Sequence, residues 1–192
     1  MSNNLIQFDI EGDAILSTSH GSHILVSSKI LQHASPLFKA IFSNEDIKSK
    51  LSTDSPPVIP VLDLYAPSLH FVCGILHGHD SSTWQPVSSE QLFNVAMTAT
   101  YELRCQDRIN WLIELYLESF LMEPKSSENI IDLLATAMVC RFERIFQELS
   151  IMLVYEATAP ISQLFSRNSG KVLGKTLLGN NLLFIQAINN NL

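Results

Sequence analysis

The apolar positions of this chain change period early. Between Asp13 and Val26 they fall in two short β-type runs, Asp13–Ser17 and His23–Val26, split by His20-Gly21-Ser22. That pattern predicts a β-hairpin with its turn at the glycine. The period then lengthens to that of a helix. Leu37, Phe38, Ile41 and Phe42 recur at helical spacing behind Ser35 and Pro36, a cap and a first-turn proline. Ser27 or Ser28 is placed to cap a preceding helix over Ser28–Ala34. A hairpin therefore feeds a tight pair of short helices.

Asn44–Pro57 is polar and ends in Ser-Pro-Pro, which predicts a surface loop, and residues 1–7 are expected to fray. Val58–Leu64 is a third β-type run. Pro60 lacks a backbone N–H, so this strand is expected at a sheet edge or kinked. Pro67 opens a helix that runs to His77 and stops at Gly78, before a loop over His79–Val87. This helix carries Leu69, Val72, Cys73 and Leu76 on one face and Phe71 and Ile75 on a second, which predicts a helix sandwiched between neighbours.

Ser88 and Gln91 have capping-box spacing for a helix ending near Glu102. Ile109, Leu112, Ile113, Tyr116, Leu117 and Phe120 form the clearest amphipathic repeat, with Glu114 and Glu118 on the solvent side. Past the break at Glu123-Pro124-Lys125, the same spacing returns over Ile130–Cys140 and Ile145–Thr158, and Pro160 limits the second helix. The tail contains Gly170, Gly174 and Gly179, and its apolar patches at Ile161–Phe165 and Leu182–Ile188 predict one or two weaker helices. Three short strands followed by many helices give an α+β chain, predominantly helical.

Of the 192 residues, 46% are hydrophobic and 16% charged, a balance that favours a packed core over disorder. A net charge of −7 and a pI near 5.3 leave no electrostatic footprint for nucleic acid. Lys and Arg are scattered rather than clustered for an anionic membrane, and no apolar run approaches the ~20 residues of a spanning helix. The opening MSNNLIQFDIEGD lacks the basic and apolar parts of a signal peptide. Cys73, Cys105 and Cys140 are odd in number and far apart, which favours reduced, buried thiols. Together these point to an intracellular protein of the cytoplasm or nucleus.

The chain has no glycine-rich phosphate loop, no G-x-S-x-G elbow, no H-E-x-x-H and no paired C-x-x-C. Cys73 and His77 lie one helical turn apart, the spacing for zinc or copper, or for a thiol or metal-dependent hydrolase. Two ligands without a second pair favour the plainer expectation, a core cysteine and a cationic His77 at a helix C-terminus. His20 and His23 could form a dyad with Asp13 but are expected to be solvated turn residues. Glu102, Arg104, Asp107 and Arg108 read as a solvated, mixed-charge helix junction. The expectation is no catalytic residue, no cofactor and no metal.

Gly12, Asp13, Leu16, Val26, Ser28, Lys29, Leu31, Ala34, Ser35, Pro36, Phe38 and Phe42 stand in an order and spacing that resembles the opening of a BTB/POZ domain, particularly the fungal kind. The resemblance implies a small three-stranded sheet flanked by helical hairpins over residues 8–122. The helical pattern of residues 126–192 resembles the BACK-like extension that often follows such a domain. What it implies of function is a non-enzymatic module, an adaptor or scaffold that binds other proteins. One such use is a homodimer with Ser28–Ala34 at its interface. Asp13 would be a near-buried acid that fixes local structure by hydrogen bonding. A second use is as a substrate adaptor of a cullin-type ubiquitin ligase. That use implies a hydrophobic residue, any residue, then Glu after the third strand; Phe71, Val72 and Cys73 occupy those positions, and the missing Glu ranks a cullin below a generic protein partner. The candidate interaction surface is Asp13, Ser28, Lys29, Gln32, His33, Phe71 and Cys73.

Overall fold

Ala14 and Leu16 on one strand and Ile24 and Val26 on the next are fully buried, so alternate residues of each strand point into one core. The computed structural model, which describes residues 5–19, 21–61, 64–79, 88–122, 126–156 and 167–180, forms the expected hairpin from them. Strand β2 (Ala14–Ser17) pairs antiparallel with β3 (His23–Val26), Leu16 opposite Ile24. Gly21 turns the chain at φ +78°, a left-handed value that glycine adopts without steric cost.

The sheet has four strands, in the order β1-β3-β2-β4. Leu5–Gln7, expected to fray, instead forms β1 parallel to β3, with Ile6 beside Ile24. Strand β4 (Val58–Pro60) lies parallel to β2 at the opposite edge, which suits Pro60 because an edge strand has one side with no ladder to complete. Gly12 enters β2 so close to β3 that an added Cβ would lie 2.7 Å from Leu25 Cγ.

Helices α1 (Ser28–Ala34) and α2 (Pro36–Phe42) follow the hairpin directly. Ser35 links them. Its Oγ accepts the Phe38 N–H at 3.3 Å as the cap of α2 and donates to the Leu103 carbonyl at 2.5 Å. Within the expected loop, Asn44 caps a single helical turn, α3 (Glu45–Lys48), by accepting the Asp46 N–H. Helix α4 (Ala66–Leu76) buries Leu69, Phe71, Val72 and Cys73, so both of its apolar faces are covered.

The capping box forms as expected: Gln91 Oε1 accepts the Ser88 N–H and Ser88 Oγ accepts the Gln91 N–H at the start of α5 (Ser89–Met97). The helix does not continue as α to Glu102. Thr98–Glu102 is a π-helical turn, in which the Leu103 N–H reaches back five residues to the Thr98 carbonyl at 2.8 Å. Helix α6 (Gln106–Leu121) carries the strongest repeat, and Ile109, Leu112, Ile113 and Leu117 are buried. Ser126 caps α7 (Ser127–Cys140), which ends at Arg141 with φ 62° and turns into α8 (Glu143–Glu156).

Ile161–Phe165 and Leu182–Ile188 lie outside the described residues. The tail helix among the described residues is α9 (Asn168–Asn180), which runs through all three glycines. Ser169, Gly170 and Leu173 are buried, and α9 packs on α7; small side chains at this contact favour close approach rather than a break.

Two compact units emerge: Met1–Pro86 with Met97–Asn110, and Val87–Ala96 with Trp111–Leu192. The first holds the sheet and α1–α4. The second holds α7–α9, where Asp132 is only 2% exposed. Its carboxylate accepts from Ser89 Oγ at 3.0 Å, Ser169 Oγ at 2.5 Å and Arg167 Nη1 at 3.3 Å, so α5, α7 and the start of α9 share one buried acceptor.

Candidate functional site

Helix α1 begins with free N–H groups that need acceptors. Ser27 stands at the cap position, but its side chain makes no capping bond. Two other elements supply the acceptors. Asp13, just before β2, accepts the Ser28 N–H on Oδ1 and the Ser28 hydroxyl on Oδ2, both at 2.7 Å. His77, at the end of α4, accepts the Ser27 N–H on Nε2 at 3.0 Å and places Nδ1 2.7 Å from the Cys73 carbonyl. One tautomer satisfies both contacts, with the proton on Nδ1 and Nε2 bare.

His77 therefore caps α4 as a neutral imidazole, not as the expected cation. Burial holds its pKa below the ordinary histidine value, against smaller upward pulls from the Cys73 carbonyl and Asp9. Phe8 stacks on it, with ring centroids 6.2 Å apart.

Two members of the expected interaction surface are corrected outright. Phe71 is 3% exposed and Cys73 0%, because α4 is packed on both faces, so neither can be touched by a partner. Ser28 is also buried, and Asp13 engages both of its polar groups. The Cys73 thiol is pushed well above its ordinary pKa by burial and by neighbouring Cys105, while burial pushes Cys105 up to about 11 and Cys140 up to about 12. These are protonated, enclosed thiols, and both ring nitrogens of His77 are occupied by backbone groups. Among the described residues no three His, Cys, Asp or Glu side chains gather as metal ligands.

The remaining three, Lys29, Gln32 and His33, come together on α1. They line a cleft of about 750 Å³ in the first unit, together with Lys39 of α2 and with Arg104, Asp107 and Arg108 around the start of α6. Arg104 sits at φ 53°, a left-handed backbone that costs a side-chain-bearing residue about 1–2 kcal/mol. Its neighbours Leu103 and Cys105 are both buried, and they hold the turn in place. His20 lies outside the described residues; His23 is half-buried in β3.

A second feature lies in the other unit and was missed at the level of sequence. Trp111 and Leu115 on α6 and Met122 just past its end are 57%, 56% and 87% exposed. With Glu118 they repeat at i, i+4, i+7 and i+11, one stripe opposite the buried face. Arg144, Glu148, Ile151 and Tyr155 repeat the same spacing on α8, with Ile151 59% and Tyr155 83% exposed. Arg144 ties the stripes together, donating Nη1 to Glu148 at 2.8 Å and Nη2 to Glu118. The signal was available, since the i+11 repeat is visible once the inward positions are removed.

No family model and no curated protein matches this chain. Among the described residues, no helix is long and apolar enough to cross a membrane.

Proposed function

We propose that this chain is a non-enzymatic protein–protein interaction module of the BTB/POZ type, with a BACK-like helical extension. The observation that carries the reading is the paired stripe on α6 and α8. Trp, Tyr and Arg are the side chains that dominate binding energy at protein interfaces; here Trp111 is exposed on α6 and Arg144 and Tyr155 on α8, and the Arg144–Glu118 ion pair links the two helices. Large apolar side chains gathered on a surface lower the free energy when a partner covers them.

The family assignment draws support from local roles. Gly12, Asp13, Ser28, Ser35 and Pro36 carry the resemblance, and each does work at the hairpin-to-helix junction: close strand approach, capping from a distance, or helix initiation. Self-association through α1 is one use of such a module. Light scattering decides it: a mass near 21.5 kDa at micromolar concentration rules out the homodimer.

The direct test compares the wild-type chain with a Trp111→Ala, Tyr155→Ala double variant in cross-linking from the native source, read by mass spectrometry. Both sites are exposed, so the variant is expected to keep the wild-type melting temperature. A partner captured by the wild type and lost by the variant supports the reading. Identical captured sets overturn it.

A further inference from the structure

The first unit of this acidic protein contains a basic cleft. Four of the chain's twelve Lys and Arg residues line it (Lys29 and Lys39 on the helix pair, Arg104 and Arg108 across from them) against a single acid, Asp107. The rest of the first unit is left with two cations and nine acids, so the cleft reverses the sign of the unit that holds it. Lys29, Lys39 and Arg104 are exposed, and none makes an ion pair or side-chain hydrogen bond among the described residues. Like charges held around one recess repel each other, and an anion placed between them relieves that repulsion. His33 adds a ring nitrogen pair that can donate or accept.

We propose that this cleft binds a short acidic peptide segment of a partner protein, a run of Asp and Glu residues. The cations sit on three separate elements around about 750 Å³, rather than converging on one point, which fits several carboxylates spaced along an extended chain better than one small anion. The surrounding charge decides against a nucleic acid. A long polyanion that entered the cleft would run on over the acidic remainder, whereas a short acidic segment meets only the basic recess. The inference deepens the interaction-module reading by naming the chemistry of one partner segment, and it rests on that reading.

The test is fluorescence anisotropy of the full chain with a labelled decapeptide of alternating Asp and Glu, beside a neutral Asn/Gln decapeptide and a single-stranded oligonucleotide of equal charge. The acidic peptide is expected to bind, and to weaken about tenfold or more when salt is raised to ~0.3 M. Lys29→Glu with Arg104→Asn is expected to weaken it at least tenfold; Asn tolerates the left-handed backbone, so the fold is kept. Lys171→Glu with Lys175→Gln, both exposed positions of α9, makes the same change of three charges away from the cleft and should leave affinity unchanged. Equal affinity of the cleft variant, equal binding of the neutral peptide, no binding at all, or tighter binding of the oligonucleotide each overturns the proposal. Failure here with Trp111-dependent capture intact condemns the cleft alone. Loss of Trp111 dependence with the peptide still bound condemns the stripe.

Discussion

Asp13 grips Ser28 twice, through the backbone N–H and the hydroxyl, each at 2.7 Å. A carboxylate at the mouth of one strand thus caps a helix fifteen residues later. Hydrogen bonds to charged groups contribute about 1.5–3 kcal/mol each, and Ser28 is buried, so its groups have no water to fall back on. Asp13→Ala is expected to lower stability by roughly 2–4 kcal/mol in urea unfolding. Asp13→Asn, which keeps one acceptor, should cost less. Equal stability of Asp13→Ala and wild type would refute this role.

Acid should destabilise the first unit through His77. Its folded pKa lies below the ordinary value of 6.5 because of burial. Below pH 6.5 the unfolded chain therefore binds the proton first. The stabilisation is complete above that pH and is lost as pH falls through the lower folded value. His70, half-buried, is shifted the same way by burial and adds to the slope. Protonation of His77 also removes the Nε2 acceptor from the Ser27 N–H. Urea midpoints from about pH 7.5 to about 5.5 should fall for wild type and fall less for His77→Gln. Parallel profiles would count against the assignment.

Asp132 is the corresponding hub of the second unit. Asp132→Asn is expected to cost about 1.5–3 kcal/mol, since a neutral amide replaces an acceptor shared by Ser89, Ser169 and Arg167. Helix α9 should loosen first. Amide exchange along Asn168–Leu173 is the readout, and it should rise more than exchange in α8.

All three thiols should be inert in the native state and reactive on unfolding. Cys73, Cys105 and Cys140 are buried, with pKa values raised by burial. A disulfide reagent at neutral pH should titrate close to none of them at first, and all three in denaturant. Rapid native labelling of Cys73 would revive the nucleophile reading.

What the sequence made legible was local. The hairpin, the Ser35-Pro36 helix start, the Ser88–Gln91 capping box and the α6 repeat each depend on residues within a turn or two of each other. Longer-range pairings escaped. Leu5–Gln7 is too short and too far from His23 to announce itself as a strand, and its partner alone makes it one. Phe71 and Cys73 are buried, as the apolar pattern on two faces of their helix already implies, so their expected place on the interaction surface fails. Lys29, Gln32 and His33 lie close together in the sequence on α1, but Arg104 and Arg108, more than seventy residues on, read as an ordinary charged junction. Only the fold puts them across one recess.

The π-helical turn at Thr98–Glu102 carries an evolutionary corollary. Such a turn holds one residue more than the α-helix it interrupts, and each residue advances a helix by about 100°. Shortening that stretch by one would swing Leu103, now wholly enclosed, out toward water and break the Ser35 grip on its carbonyl. Lineages of this protein should accordingly accept insertions and deletions in the polar Ser49–Ser55 connection long before they accept a single-residue loss here.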